Sequence, residues 1–179
     1  ITVSDFMERL EKTIVNPSIY TGELYLELHR GTLTNQHAIK RNNRLAEIQL
    51  RNLEYVTVRE AVKNDIVASD EKIRPLMNTL LVNQFHDILP GTCIPRVHDQ
   101  SIEETTNVIN KAKELIDETI SYEKQNNTIS ILNTLPFERH DVIYLDYEEG
   151  YIVDGDYEQQ ITMDIKGNKK LAVSGISIP

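Results

Sequence analysis

Between Thr32 and Leu89 the chain carries one helix-breaking residue, Pro75, and between Arg96 and Leu135 it has neither glycine nor proline. Helices tolerate such stretches, whereas turn-rich folds interrupt them. From Pro136 onward helical periodicity stops and short alternating runs appear. The pattern predicts a mainly α chain with a C-terminal β part.

The first long helix is predicted over about Asn35 to Lys63. Lys40, Arg44, Glu47, Arg51 and Glu54 recur at the 3.6 period as one charged stripe. Ala38, Leu45, Ala46, Ile48, Leu50, Leu53, Tyr55 and Val56 lie around the rest. A helix wet on one side needs at least two packing neighbours, and Glu47 and Arg51 have the spacing of an i,i+4 ion pair. A second helix is expected from about Asp70 to Phe85, with Ile73, Leu76, Met77, Leu80 and Leu81 as its apolar stripe. It either begins near Pro75 or kinks there, and Pro90-Gly91 stops it. A third is expected to start at the capping-box pattern Ser101-Ile102-Glu103-Glu104, continue one face through Ile102, Ile109, Ala112, Ile116 and Ile120 with Thr105 between the first two, and end at Asn126-Asn127. Three such helices joined by short loops read as an antiparallel three-helix bundle.

Strands are expected at Thr128–Leu132, Asp141–Leu145, Gln160–Met163 and Leu171–Val173. Turns are expected at Asn133-Thr134-Leu135-Pro136 and Asp154-Gly155-Asp156. Four strands with open edges make a poor independent unit, so this reads as the start of an all-β domain.

Composition narrows the function classes. Apolar residues are 40% and charged residues 26% of the 179, with a net charge of −9. Broad electrostatic binding of nucleic acid needs clustered Lys and Arg, which this balance does not supply. No run of about 18 apolar residues exists to span a membrane. The one cysteine, Cys93, permits no internal disulfide and fits a reducing compartment. The first residues, Ile1-Thr2-Val3, include no Met and no signal-peptide pattern, and the last follow an apolar run, so a segment of a longer protein is expected.

Three places have side chains suited to chemistry. In Gly22–Thr32, Leu24, Leu26 and Leu28 alternate with Glu23, Tyr25, Glu27 and His29, the period of an extended segment. Glu23 and Glu27 would stand roughly 13 Å apart on a strand, too far for a glycosidase acid pair. In Asn83–Thr92, Asn83, His86 and Asp87 fall at i, i+3 and i+4, which on a helix is one face. A neutral imidazole at a helix C-terminus suits a metal ion, and the neighbouring carboxylate suits metal, histidine or sugar hydroxyls. The same residues also suit a solvated helix end with Asp87 capping the next turn. The third place, Asp141 to Glu158, holds seven acids and no Lys or Arg. It reads as exposed strand faces and loops, with calcium the other option. Cys93 reads as a small, partly buried residue.

Gln84-Phe85-His86-Asp87-Ile88-Leu89-Pro90-Gly91-Thr92 closely resembles the His-Asp motif of the α-mannosidases of glycoside hydrolase family 38. Gly22–Thr32 is similar to a second motif of its cytosolic and bacterial branch, and Asn133-Thr134-Leu135-Pro136-Phe137-Glu138-Arg139 to the opening of the β-domain that follows. The resemblance implies an antiparallel three-helix bundle followed by the start of a β-sandwich domain. Residues 1–34 would be the end of a catalytic domain and a connecting strand, 35–127 the middle domain, and 128–179 the beginning of the β-domain. It implies a cytoplasmic, zinc-dependent retaining enzyme acting on terminal α-mannosides, with His86 as one zinc ligand and Asp87 at the sugar site. The family's nucleophile and other zinc ligands would lie upstream of this chain, which would then be inactive alone. No nucleic-acid or membrane partner is implied. A non-catalytic helical interaction module is the competing reading, and a sugar-active enzyme with another linkage preference is a third.

Overall fold

The computed structural model describes residues 1–24, 31–120 and 128–179. In chain order they form α1 (Val3–Thr13), α2 (His37–Lys63), α3 (Ile73–Asn83), α4 (Pro95–Thr119), β1 (Arg139–Asp146), β2 (Glu158–Met163) and β3 (Lys169–Ile178). The chain is mainly α with a C-terminal three-stranded antiparallel sheet.

Helix α1 had no counterpart in the sequence reading. Its signal is Thr2-x-x-Asp5: the Thr2 hydroxyl accepts from the Asp5 amide and the Asp5 carboxylate from the Thr2 amide, each at 3.1 Å. Those bonds hold the Asp5 carboxyl below its ordinary range. No residue of α1 is buried.

Helices α2, α3 and α4 share one core of Ala46, Leu50, Leu53, Ile73, Leu80, Val108, Ile109, Ala112 and Leu115. Side-chain bonds give their directions. Asn42, early in α2, reaches Thr105 and Thr106 at the middle of α4. Gln84, just past α3, reaches Asn43 and Glu47 of α2, and Asn83 reaches Glu104 of α4, so α3 runs against both. Lys72 beside Glu118 at the opposite end agrees.

Several local expectations change. Helix α2 begins at His37 after Gln36 in the left-handed region, φ 46°. Ile48 and Tyr55 lie exposed on it. Glu47 does not pair with Arg51. Its carboxylate is taken by Asn43, Arg44 and Gln84, while Arg51 reaches the Thr134 carbonyl at 2.7 Å and hydroxyl at 3.2 Å. Helix α3 starts at Ile73, placing Pro75 in the first turn, where a missing N–H breaks no helical bond. It also stops at Asn83, short of Phe85, and Leu81 is exposed. Helix α4 begins at Pro95 rather than Ser101. A proline preset for the first helical position outweighs the downstream capping pattern. Ser101 is instead buried in the helix with its hydroxyl unpartnered. Val108 and Leu115 join Ile109 and Ala112 in the core, and Ile116 packs at its edge. The helix ends at Thr119, because Ile120 turns extended at ψ 117°, and the expected end at Asn126-Asn127 lies outside the described residues.

The sheet order is β1-β3-β2. Asp141 opposes Ile176 but Ile143 opposes Val173, leaving an extra residue on β3. Gly175 takes φ +81° in that bulge, a conformation glycine adopts without strain. Thr128–Leu132, expected as a strand, is irregular and is not one of the sheet's three strands. Asn133 forms the expected turn, its Oδ1 accepting from the Leu135 amide at 3.0 Å. In the acidic tract Asp141 pairs with Arg139 and Asp146 with Lys170, while Glu148, Glu149, Asp154 and Asp156 are exposed.

The Asn133-Thr134 pair ties the two parts together. Asn133 Nδ2 donates to the Phe137 carbonyl at 2.7 Å, and the Thr134 hydroxyl donates to Asn52 of α2 at 2.9 Å. Thr134→Val keeps the shape and the Arg51 bond to the residue 134 carbonyl, but removes the hydroxyl's bonds to Asn52 and from Arg51. We expect it to lower stability by about 1 kcal/mol, read as a reduced urea midpoint with an unchanged m-value. A midpoint equal to the parent's would show that the tie contributes nothing. Among the described residues no helix is long and apolar enough to cross a membrane.

Candidate functional site

Helix α3 ends at Asn83, so His86 and Asp87 lie beyond it and do not share a helical face with Asn83. The i, i+3, i+4 expectation fails because the chain leaves the α-helical path at Gln84. The Ile88 and Leu89 amides return to the Phe85 carbonyl and the Gly91 amide to the Ile88 carbonyl, giving linked turns. Asn83 is buried and structural, donating to Glu104 at 2.8 Å and to the Thr79 carbonyl at 2.9 Å.

His86 and Asp87 stand out from these turns with side chains 76% and 61% exposed. His86 Nε2 lies 3.5 Å from Asp87 Oδ2. The other carboxylate oxygen, Oδ1, accepts from the Thr92 hydroxyl at 3.3 Å. The Phe85 ring leans on the imidazole, centroids 4.2 Å apart and planes inclined by 42°. Asp87 does join the following turn, as the solvated-end reading expects, yet both side chains keep open faces for a ligand.

The ends of this turn are held firmly. At its start Gln84 Nε2 donates to Asn43 Oδ1 at 3.0 Å and Glu47 Oε1 at 2.9 Å. At its close Asn35 Nδ2 donates to the Gly91 carbonyl at 3.2 Å, and Lys40 Nζ donates to the carbonyls of Leu89 at 3.1 Å and Pro90 at 3.3 Å. Lys40 also donates to Asn35 O at 2.8 Å and Oδ1 at 3.2 Å. Burial pushes the Lys40 ammonium below the ordinary lysine range. Sequence reasoning missed this role for Lys40, Asn35 and Gln84. Lys40 reads as one more residue of the charged stripe, and only the packing turns it toward the loop.

Other expected site residues add little. Glu23 is exposed, while Tyr25 through Arg30, including Glu27 and His29, lie outside the described residues. Cys93 is a half-buried free thiol. Among the described residues no group of three or more His, Cys, Asp and Glu is placed to hold a metal ion. The local donor set, one open imidazole beside one carboxylate, fits part of a zinc shell and not a whole one.

A family model described as the alpha mannosidase middle domain matches residues 27–122, enclosing all three core helices and the His86–Asp87 turn. An α-mannosidase of Saccharomyces cerevisiae is 30% identical over 170 residues, covering 90% of this chain and 15% of that protein. Alpha-mannosidase G of Dictyostelium discoideum is 35% identical over 126 residues, covering 66% of this chain and 12% of that protein. Alpha-mannosidase 2C1 of Homo sapiens is 30% identical over 131 residues, covering 70% of this chain and 13% of that protein. The chain therefore belongs to the α-mannosidase family and contains its middle domain. It spans about 15% or less of the length of these relatives.

Proposed function

We propose that this chain is the middle part of a cytoplasmic, zinc-dependent retaining α-mannosidase of glycoside hydrolase family 38. Its substrates are terminal α-mannosides. Residues 1–34 close the catalytic domain, 35–127 form a three-helix bundle, and 128–179 begin a β-sandwich. His86 supplies one zinc ligand and Asp87 a contact to the sugar, and the chain alone is inactive.

The observation that supports this reading is an exposed His86–Asp87 pair on a turn held at both ends, within the segment matching the family. The imidazole is accessible, and the turn that carries it is hydrogen-bonded to α2 at both ends. Bound zinc supplies Lewis-acid polarisation of an oxygen it touches. The chain's own residues do the rest. His86 offers an imidazole nitrogen, and Asp87 offers a carboxylate that Thr92 orients toward sugar hydroxyls.

The test uses the purified 179-residue chain. One histidine gives too few ligands for a tight site. We expect no turnover of an aryl α-mannoside and no zinc site that survives micromolar chelator. Turnover, or stoichiometric zinc retained after dialysis against chelator, would overturn the proposed division of the site.

A further inference from the structure

Lys40 occupies an unusual place. It closes the first turn of α2, where the helix dipole disfavours a cation. Among the described residues its ammonium has no carboxylate among its bonded acceptors. All four, Asn35 O, Asn35 Oδ1, Leu89 O and Pro90 O, are neutral oxygens 2.8 to 3.3 Å away. What it does achieve is a link, across 49 and 50 positions of sequence, between the start of α2 and the closing carbonyls of the His86–Asp87 turn. Gly91, next in line, is held by Asn35, itself a Lys40 acceptor. Gln84 fixes the opening of the same turn on the same helix through Asn43 and Glu47. Residues 85–88 are therefore suspended between two anchorages on α2, with the exposed imidazole and carboxylate between them.

We propose that Lys40 is a positioning residue. By binding the Leu89 and Pro90 carbonyls it sets where His86 and Asp87 stand, and thereby the affinity of the metal site that His86 completes. The inference rests on the reading of His86 as a zinc ligand. Outer-shell groups that orient a ligand change metal affinity by roughly 10–100-fold. Lys40 acts through backbone, so the low end applies.

The experiment measures the zinc dissociation constant of the intact α-mannosidase by chelator competition, with circular dichroism to verify folding. Lys40→Met should weaken zinc by about 10-fold. Lys40→Arg, which keeps a cation with donors for the carbonyls, should recover most of that loss. Turnover at saturating zinc should fall less than zinc affinity does, a split that general unfolding would not produce. Chymotrypsin should also cut faster after the exposed Phe85 in Lys40→Met. If that variant fails to fold, Asn35→Ala removes the Gly91 bond and one Lys40 acceptor, and should weaken zinc in the same direction. His86→Ala is the control on the underlying reading. Weaker zinc in His86→Ala with parental zinc affinity in the folded Lys40 or Asn35 variant overturns the positioning role and leaves the ligand reading standing. Parental zinc affinity in His86→Ala overturns both.

Discussion

His86→Ala in the intact α-mannosidase is expected to leave zinc below one equivalent and to reduce kcat/KM by about 100-fold or more, at least the upper end of what outer-shell losses cost. The fold should not notice. The His86 side chain is 76% exposed, with Asp87 at 3.5 Å. Surface substitutions of this kind usually change stability by less than about 0.5 kcal/mol. The expected signature is thus lost metal and lost turnover in the intact enzyme, with an unchanged Tm when the same substitution is made in the 179-residue chain, where the side chain is exposed. Asp87→Asn should separate the two proposed roles, lowering kcat/KM while zinc stays bound, because it removes the charge proposed to meet the sugar and keeps the imidazole. Elemental analysis of the purified variants checks both. Unchanged zinc stoichiometry in His86→Ala would remove the proposed ligand from the site.

The second large effect is expected at Gly91. Its φ is +77°, and a Cβ there would lie 2.8 Å from Gln36 Cγ and 2.9 Å from both Gln36 Cβ and Asn35 Oδ1. Left-handed backbone costs a non-glycine residue about 1–2 kcal/mol, and overpacking adds about 1–3 kcal/mol. Gly91→Ala should therefore destabilise the helical part by about 3 kcal/mol. Relief by moving Asn35 would also take an acceptor from Lys40 and loosen the turn. Gly150 makes the comparison clean: its φ is +83°, but an added Cβ meets nothing within 4 Å. Gly150→Ala should show the backbone cost alone. Equal shifts in urea midpoint for the two variants would mean that the close approach at Gly91 is relieved without cost.

Much of the architecture was legible because it rests on local rules. Long stretches free of glycine and proline became α2 and α4, and alternating runs became β1, β2 and β3. Pro90-Gly91 did not stop α3, which ends at Asn83 and passes into linked turns before reaching it. The errors arose where two local signals competed. Ser101-Ile102-Glu103-Glu104 has the form of a cap, but Pro95 begins the helix earlier and burial takes Ser101 inside. Glu47 and Arg51 have ion-pair spacing, but each finds partners from other elements. In α1 the capping pair Thr2 and Asp5 was present in the sequence and went unread.

The residue types at the candidate site, an imidazole and a carboxylate followed by Pro90-Gly91, belong to the sequence alone. So does the family likeness, which residues 84–92 carry without any coordinates. Only the tertiary structure decided that His86 and Asp87 leave the helix and stand exposed, and that Lys40 turns from the charged stripe to the loop carbonyls. The reason is physical. Helix periodicity and capping involve atoms within a few residues of each other, so they are written in short windows of sequence. Lys40 and Leu89 are 49 residues apart, and their bond exists only because the shared apolar core of α2, α3 and α4 brings the end of one connection against the start of another helix.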